Sequence, residues 1–136
     1  MRATAETQIS AFLANRPGVV ADLCAALTER GVNIKAICVL DSVDIGTLRM
    51  VVDDVATAKT ALNTAGAAYV EVPVISVPIP NKPGGFARIA QALAVRGVNI
   101  EYFYATASPG QDQTLGVFRV SDPVTALGIE FENGRA

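Results

Sequence analysis

Asn15-Arg16-Pro17-Gly18, followed by Arg30-Gly31-Val32-Asn33-Ile34, decides how this chain is read. Both stretches return 66 positions later, as Asn81-Lys82-Pro83-Gly84 and Arg96-Gly97-Val98-Asn99-Ile100. Between residues 9–42 and 75–108, 14 of 34 ungapped positions are identical, where average composition gives about two or three by chance. After residue 108 the second copy gains one residue, aligning Thr47-Leu48 with Thr114-Leu115. It gains another before Asp122, which aligns with Asp54. The chain therefore reads as a tandem repeat with domains at 1–72 and 73–136.

Within one copy, the apolar run at residues 9–14 reads as a strand, broken by Asn15-Arg16-Pro17-Gly18. Pro17 suits the first position of a helix, where its missing N–H has no partner to lose. Val20, Leu23, Cys24 and Leu27 then form one helical stripe, repeated by Phe86, Ile89, Ala90 and Leu93. Gly31 and Gly97 fall where a left-handed residue ends a helix. Residues 33–40 read as a strand, 41–46 as a turn and 47–52 as a further strand. Asp54 caps a helix over 55–65 that stops at Gly66, and 67–72 close the unit as a strand. The order βαββαβ predicts an α+β fold of two tandem ferredoxin-like units, each an antiparallel sheet with its helices on one face. Val72-Pro73-Val74 leaves almost no linker. After Asp122-Pro123 too few residues remain for a full helix and a last strand, so the second domain reads as truncated. The N-terminal segment 1–8 or a neighbouring subunit is expected to cover its open edge.

Composition narrows the chemistry. The 136 residues are 51% apolar, 18% charged and 6% aromatic, with a net charge of −2. That excludes a disordered chain, and 11 Lys+Arg against 13 Asp+Glu disfavours a nucleic-acid surface. No apolar run reaches the roughly 20 residues of a spanning helix, and residues 1–8 do not resemble a signal peptide, so the expectation is a cytoplasmic protein without membrane contact. The high apolar share points to surface buried between domains or subunits. There is no His, and Cys24 and Cys38 are the only cysteines. The usual neutral-pH base and the commonest zinc ligand are thus missing. No metal, cofactor or catalytic residue is expected.

The strand–Asn-x-Pro-Gly–helix junction offers unpaired N–H groups at the positive end of a helix, a setting for a carboxylate. Gly18 and Gly84 let a ligand approach the backbone. Asn15 and Asn81 supply amides that both donate and accept, and Asn33 and Asn99 stand where the helix gives way to the next strand. An Asn before a helix also serves as a plain cap.

The pairing of Asn-[Arg/Lys]-Pro-Gly with Gly-Val-Asn-Ile, 18 residues from Asn to Asn, resembles the ACT domain, a regulatory module that commonly binds amino acids. The resemblance covers residues 8–72 and 74–122 and is nearest to small bacterial proteins of two ACT domains without an attached enzyme. It implies ligand contacts from Leu13, Asn15, Arg16, Pro17, Gly18, Val19, Asn33 and Ile34 in the first copy. In the second it implies Ile79, Asn81, Lys82, Pro83, Gly84, Gly85, Phe86, Asn99 and Ile100. Serine-responsive members carry a His two residues before the first Asn. Leu13 and Ile79 stand there in this chain, which implies a less polar ligand. The resemblance further implies edge-to-edge pairing, a homodimer and a regulated enzyme or transporter as partner.

Other residues read more plainly. Cys24 is expected in the core and Cys38 on a strand without a base. Tyr102 and Tyr104 share one strand face and Phe103 the other, for packing. Arg49, opposite Gly116 in the alignment, is expected in a surface pair. Asp41, Asp44, Asp53 and Asp54 do not match a calcium loop. Two rival functions stand beside ligand sensing: a dimerisation module whose loops are only caps, and an acylphosphatase-like enzyme. The latter needs an Arg in the first helical turn; Arg88 provides one, but Asp22 stands at the matching place.

Overall fold

The structure, a computed structural model, describes residues 1–41, 45–107 and 109–131. Much of the expected turn at 41–46, including Asp44, lies outside the described residues, as does Ser108. The described chain runs β1 (Thr4–Ala14), α1 (Val19–Glu29), β2 (Ile34–Asp41), β3 (Ile45–Val52), α2 (Val55–Thr64), β4 (Ala68–Pro80), α3 (Gly85–Val95), β5 (Ile100–Ala105), β6 (Gln113–Val120) and α4 (Pro123–Leu127). It divides into two compact units. One is Thr7–Val72; the other is Pro73–Ala136 together with Met1–Glu6. The first six residues, placed by sequence position in the first domain, thus pack with the second. β1 changes unit between Glu6 and Thr7, and β4 between Val72 and Pro73, so β4 joins in one strand the last strand expected of the first copy and the first of the second.

In the unit Thr7–Val72 the strand order is β2-β3-β1, all antiparallel. Ile9, Ala11 and Leu13 of β1, with Leu48, Met50 and Val52 of β3, present one face to Leu23 and Leu27 of α1 and Ala58, Ala61 and Leu62 of α2. Leu23 and Leu27 of the expected stripe meet the strand face, whereas Val20 is exposed and Cys24, expected in the core, is only half-buried and outside the cluster. α1 ends in a left-handed Gly31, with Gly31 N–H bonded to Thr28 O and Val32 N–H to Leu27 O. Both carbonyls would otherwise be orphaned at the helix end. Gly66 and Gly97 end α2 and α3 in the same way. Asp54 caps α2, accepting from Thr57 N (3.1 Å) and from the Thr57 hydroxyl (2.6 Å).

The other unit repeats this plan with β4-β6-β5. Ile75, Val77, Ile79, Ile89, Leu93, Val98, Phe118 and Val120 form its core. β2 and β5 each break register once, between Ile34 and Ala36 and between Ile100 and Tyr102, so even the bulge is duplicated. The pairing also corrects the alignment of the strands that follow. Met50 opposes Ile9 and Ile37, and Phe118 opposes Ile75 and Phe103. Both extra residues of the second copy therefore precede β6. Gly116 corresponds to Leu48, and Arg49 to Val117 rather than to Gly116. A Cβ at Gly116 would fall 2.5 Å from Ile79 Cδ1 and 2.7 Å from Phe118 Cε2. The ring of Phe118 and the glycine beside it thus exchange volume against Met50 and Leu48 of the first copy.

The short end is completed from the N-terminus. α4 is a single turn and a half, capped by Asp122 through Thr125 N (3.1 Å). Beyond it Ile129 and Phe131 turn back into the core, with Met1 and Ala3 packed against the same cluster. Phe131 N–H donates to Met1 O at 2.7 Å, and the terminal ammonium donates to Phe131 O at 2.9 Å. That ammonium also meets the Glu130 carboxylate, which Arg2 joins from its other side at 3.2 Å; these contacts hold Glu130 below the usual carboxylate range. The N-terminal segment, one of the two expected covers, packs against this unit.

Candidate functional site

α1 and α3 both begin two residues later than Pro17 and Pro83, read as first helical residues, would predict. Gly18 (φ 89°) and Gly84 (φ 83°) occupy the N-cap in left-handed conformation, and neither cap uses a side chain. The prolines stand outside the helices, and the capping role open to Asn15 and Asn81 belongs to the glycines. A left-handed residue at that place suits glycine alone at little cost. Among the described residues nothing accepts from the N–H groups of Val19, Val20 and Ala21; the first helical bond is Asp22 N to Gly18 O. At α3 the loop is tighter. Gly85 N–H donates to Lys82 O (3.0 Å), leaving the N–H groups of Phe86 and Ala87 without an acceptor among the described residues. Gly85 lies so close to the preceding strand that a Cβ would fall 2.0 Å from Pro80 O. Val19 fills the same place in the first copy.

Each mouth opens on a cleft inside its own unit. The first, about 410 Å³, is lined by Leu13, Arg16, Val19 and Leu23, by Phe12 and Asp22, and by the backbone turn after α2 at residues 65–68. Arg16 and Asp22 put a cation and an anion on one wall, the charge pattern of a zwitterion's partners. The second, about 450 Å³, is lined by Ile79, Asn81, Lys82, Pro83 and Phe86, with Phe103, Ala105, Ala107 and Thr114 from β5 and β6 and the loop between them. Phe86 and Phe103 stack at 4.3 Å between centroids, and Phe118 lies beneath, 5.5 Å from Phe103.

The sequence-derived residues fall into three groups. Leu13, Arg16 and Val19, and Ile79, Asn81, Lys82, Pro83 and Phe86, line the clefts. Asn15, Pro17 and Gly18, with Gly84 and Gly85, build the mouths without lining the clefts. Asn33, Ile34, Asn99 and Ile100 line neither. Asn33 exchanges backbone bonds with Asp53, its N–H donating to Asp53 Oδ1 (2.9 Å) while Asp53 N donates to Asn33 O. Asn99 does the same with Ser121. Asn81 ties its loop to the one before β6, with Nδ2 donating to Gln111 O and its N–H to Asp112 O, both at 2.8 Å.

Sequence reasoning passed over Phe12, Asp22, Phe103 and Thr114 as cleft residues. Asp22 follows from its place in the first turn of α1. Thr114 carried no signal, since its position depends on where the two extra residues before β6 fall. Cys24 and Cys38 are both half-buried, and among the described residues no three His, Cys, Asp or Glu side chains come together. None of the described helices is long and apolar enough to cross a membrane.

Comparison with known proteins agrees with this architecture. A family model for an ACT domain pair matches residues 4–133. The solved structure of a protein from Bacteroides thetaiotaomicron is 30% identical, with a TM-score of 0.85, over 93% of this chain and 86% of that one. The ligand-free regulatory subunit of aspartate kinase from Thermus thermophilus shares the fold at 21% identity and a TM-score of 0.65, each chain covered to 87%. The aspartokinase alpha and beta subunits do so at 17% and 0.60, over 87% of this chain and 86% of that one. No curated protein matches by sequence. With the repeat, the two glycine-capped helix mouths and the family match in agreement, this chain belongs to the ACT domain family, as an ACT domain pair.

Proposed function

We propose that this chain is a non-catalytic sensor of small carboxylate metabolites, amino acids first among them, acting in the cytoplasm as a homodimer that regulates an enzyme or transporter. One observation carries the reading. At the start of α1, three N–H groups without an acceptor among the described residues stand beside a cleft lined by both Arg16 and Asp22. N–H donors and Arg16 suit a carboxylate, and Asp22 suits an ammonium. The fold shared with aspartate kinase regulatory subunits is consistent with a regulatory role. Self-association is supported by β2, the outer strand of its unit, whose Ile37, Val39 and Leu40 are 44%, 53% and 40% exposed. A row of unpaired backbone groups with apolar side chains is a pairing surface. A thermal-shift screen of the twenty amino acids tests the sensor: at least one should raise the melting temperature in a dose-dependent way, and Asp22→Asn should abolish that response. A flat screen defeats the reading.

The bonds of Asn81 to residues 111 and 112 favour a second reading, in which the loops serve the fold and the chain is an association module. It predicts that Asn81→Ala lowers stability by about 1 kcal/mol and leaves oligomer mass unchanged.

A further inference from the structure

The two clefts are not chemical copies. In the first, Arg16 faces an acid, Asp22, and the single ring, Phe12, has no stacked partner among the described residues. In the second, Lys82 is the only charged residue among the described lining. The place of Asp22 is taken by Arg88, which lines a different cleft between α3 and residues 128–131. Val20 and Ile37 are replaced by Phe86 and Phe103, which stack near-parallel at the cleft and are still 37% and 45% exposed. Offset stacks of this kind present a flat apolar face that a further ring extends. Gly116 makes the arrangement possible, because any Cβ there would strike Phe118, on which Phe103 rests. Thr114 lines the same cleft, and its hydroxyl oxygen is buried with no hydrogen-bond partner among the described residues. Buried polar atoms without a partner are uncommon in a folded chain and call for one.

We propose that the cleft at the second helix mouth takes a small aromatic carboxylate. Its ring lies against the Phe86–Phe103 pair and its carboxylate at Lys82 and the N–H groups of Phe86 and Ala87. With no acid in the lining, an amino group on the ligand is not required. This rests on reading the helix mouths as ligand sites, but it selects a ligand class that the first cleft does not. A volume of about 450 Å³ is within the range of roughly 300–1,000 Å³ usual for small-molecule sites.

The test is calorimetric titration of the full chain with L-phenylalanine, L-leucine and 3-phenylpropionate, the amine-free analogue of phenylalanine. Amide shifts of Phe86 and Ala87 locate the binding. Both aromatic ligands should bind the second cleft about tenfold more tightly than L-leucine. Phe103→Leu, at a half-exposed strand position, should remove most of that preference while keeping the melting temperature close to the parent. Lys82→Gln should weaken both aromatic ligands, and Phe12→Leu should leave the preference unchanged. Measurable binding of L-phenylalanine and L-leucine with equal affinity overturns the inference and leaves amino-acid sensing standing. Binding of 3-phenylpropionate with no response to any amino acid upholds it and removes the amino-acid reading. A Phe103→Leu chain that changes its sedimentation coefficient but not its affinities shows a second copy seated on the rings, and also overturns it.

Discussion

Gly85 and Gly116 are two of the residues at which the second copy departs from the first, and each of these departures has a steric cause. A methyl group at residue 85 would sit 2.0 Å from a backbone oxygen, which cannot move without reopening the loop. One at residue 116 would overlap Ile79 and Phe118. Gly116→Ala should therefore destabilise the fold by about 1–3 kcal/mol, the usual range for overpacking, read by urea unfolding. Gly85→Ala should do at least as much and also shift the amide signals of Phe86 and Ala87. Asp54 and Asp122 differ in kind, being exposed caps. The hydroxyl and N–H of Thr57 and of Thr125 hold their carboxyls below the ordinary value of 3.8. A carboxyl with a lowered folded pKa stabilises the fold above the unfolded value and loses that contribution as pH falls through the folded one. Acid unfolding of the Asp54→Asn, Asp122→Asn double variant should accordingly be shallower than that of the parent. An unchanged acid limb contradicts the assignment. These caps, and Gly31, Gly66 and Gly97, were legible in the sequence because each answers a local demand: four orphan groups at a helix end, met by residues within a few positions. The offset by which Val19 rather than Pro17 is the first residue of α1, with Gly18 at the cap, was not, since Pro-Gly fits either frame.

Elements were read well where one periodicity sufficed and poorly where a partner distant in sequence decides. The α1 and α3 stripes and the shared bulge in β2 and β5 repeat as the duplication requires. The register of β6 depended on where two extra residues fall, and strand alternation alone cannot place them. The N-terminal segment was legible as one of two covers for the second domain, without the contacts that make it one. Residues 1–8 look polar and local, yet Met1 and Ala3 pack on the cluster that holds Phe131, and Phe131 N–H bonds to Met1 O. Deleting residues 1–6 should speed hydrogen exchange at Phe131 and Ile129 and lower the stability of the unit that holds them. Exchange that is unaltered there would contradict the completion of this unit by the N-terminus. Phe131→Ala, at a site 2% exposed, should cost about 3–5 kcal/mol in the same unfolding assay.

For the whole molecule, each unit carries a glycine-capped helix mouth with a cleft beside it and an outer strand, and sensing combined with self-association uses all three. Sedimentation equilibrium should give twice the chain mass, and Val39→Lys on the outer strand should return it to one. Ligand sensing is the central claim, and backbone amides report it most directly because they are the proposed donors. A ¹⁵N–¹H titration of the intact chain with the twenty amino acids should show at least one ligand shifting the signals of Val20 and Ala21 saturably. If every one of them leaves those amides unmoved at millimolar concentration, the mouth of α1 is an ordinary cap and the amino-acid sensor account fails there.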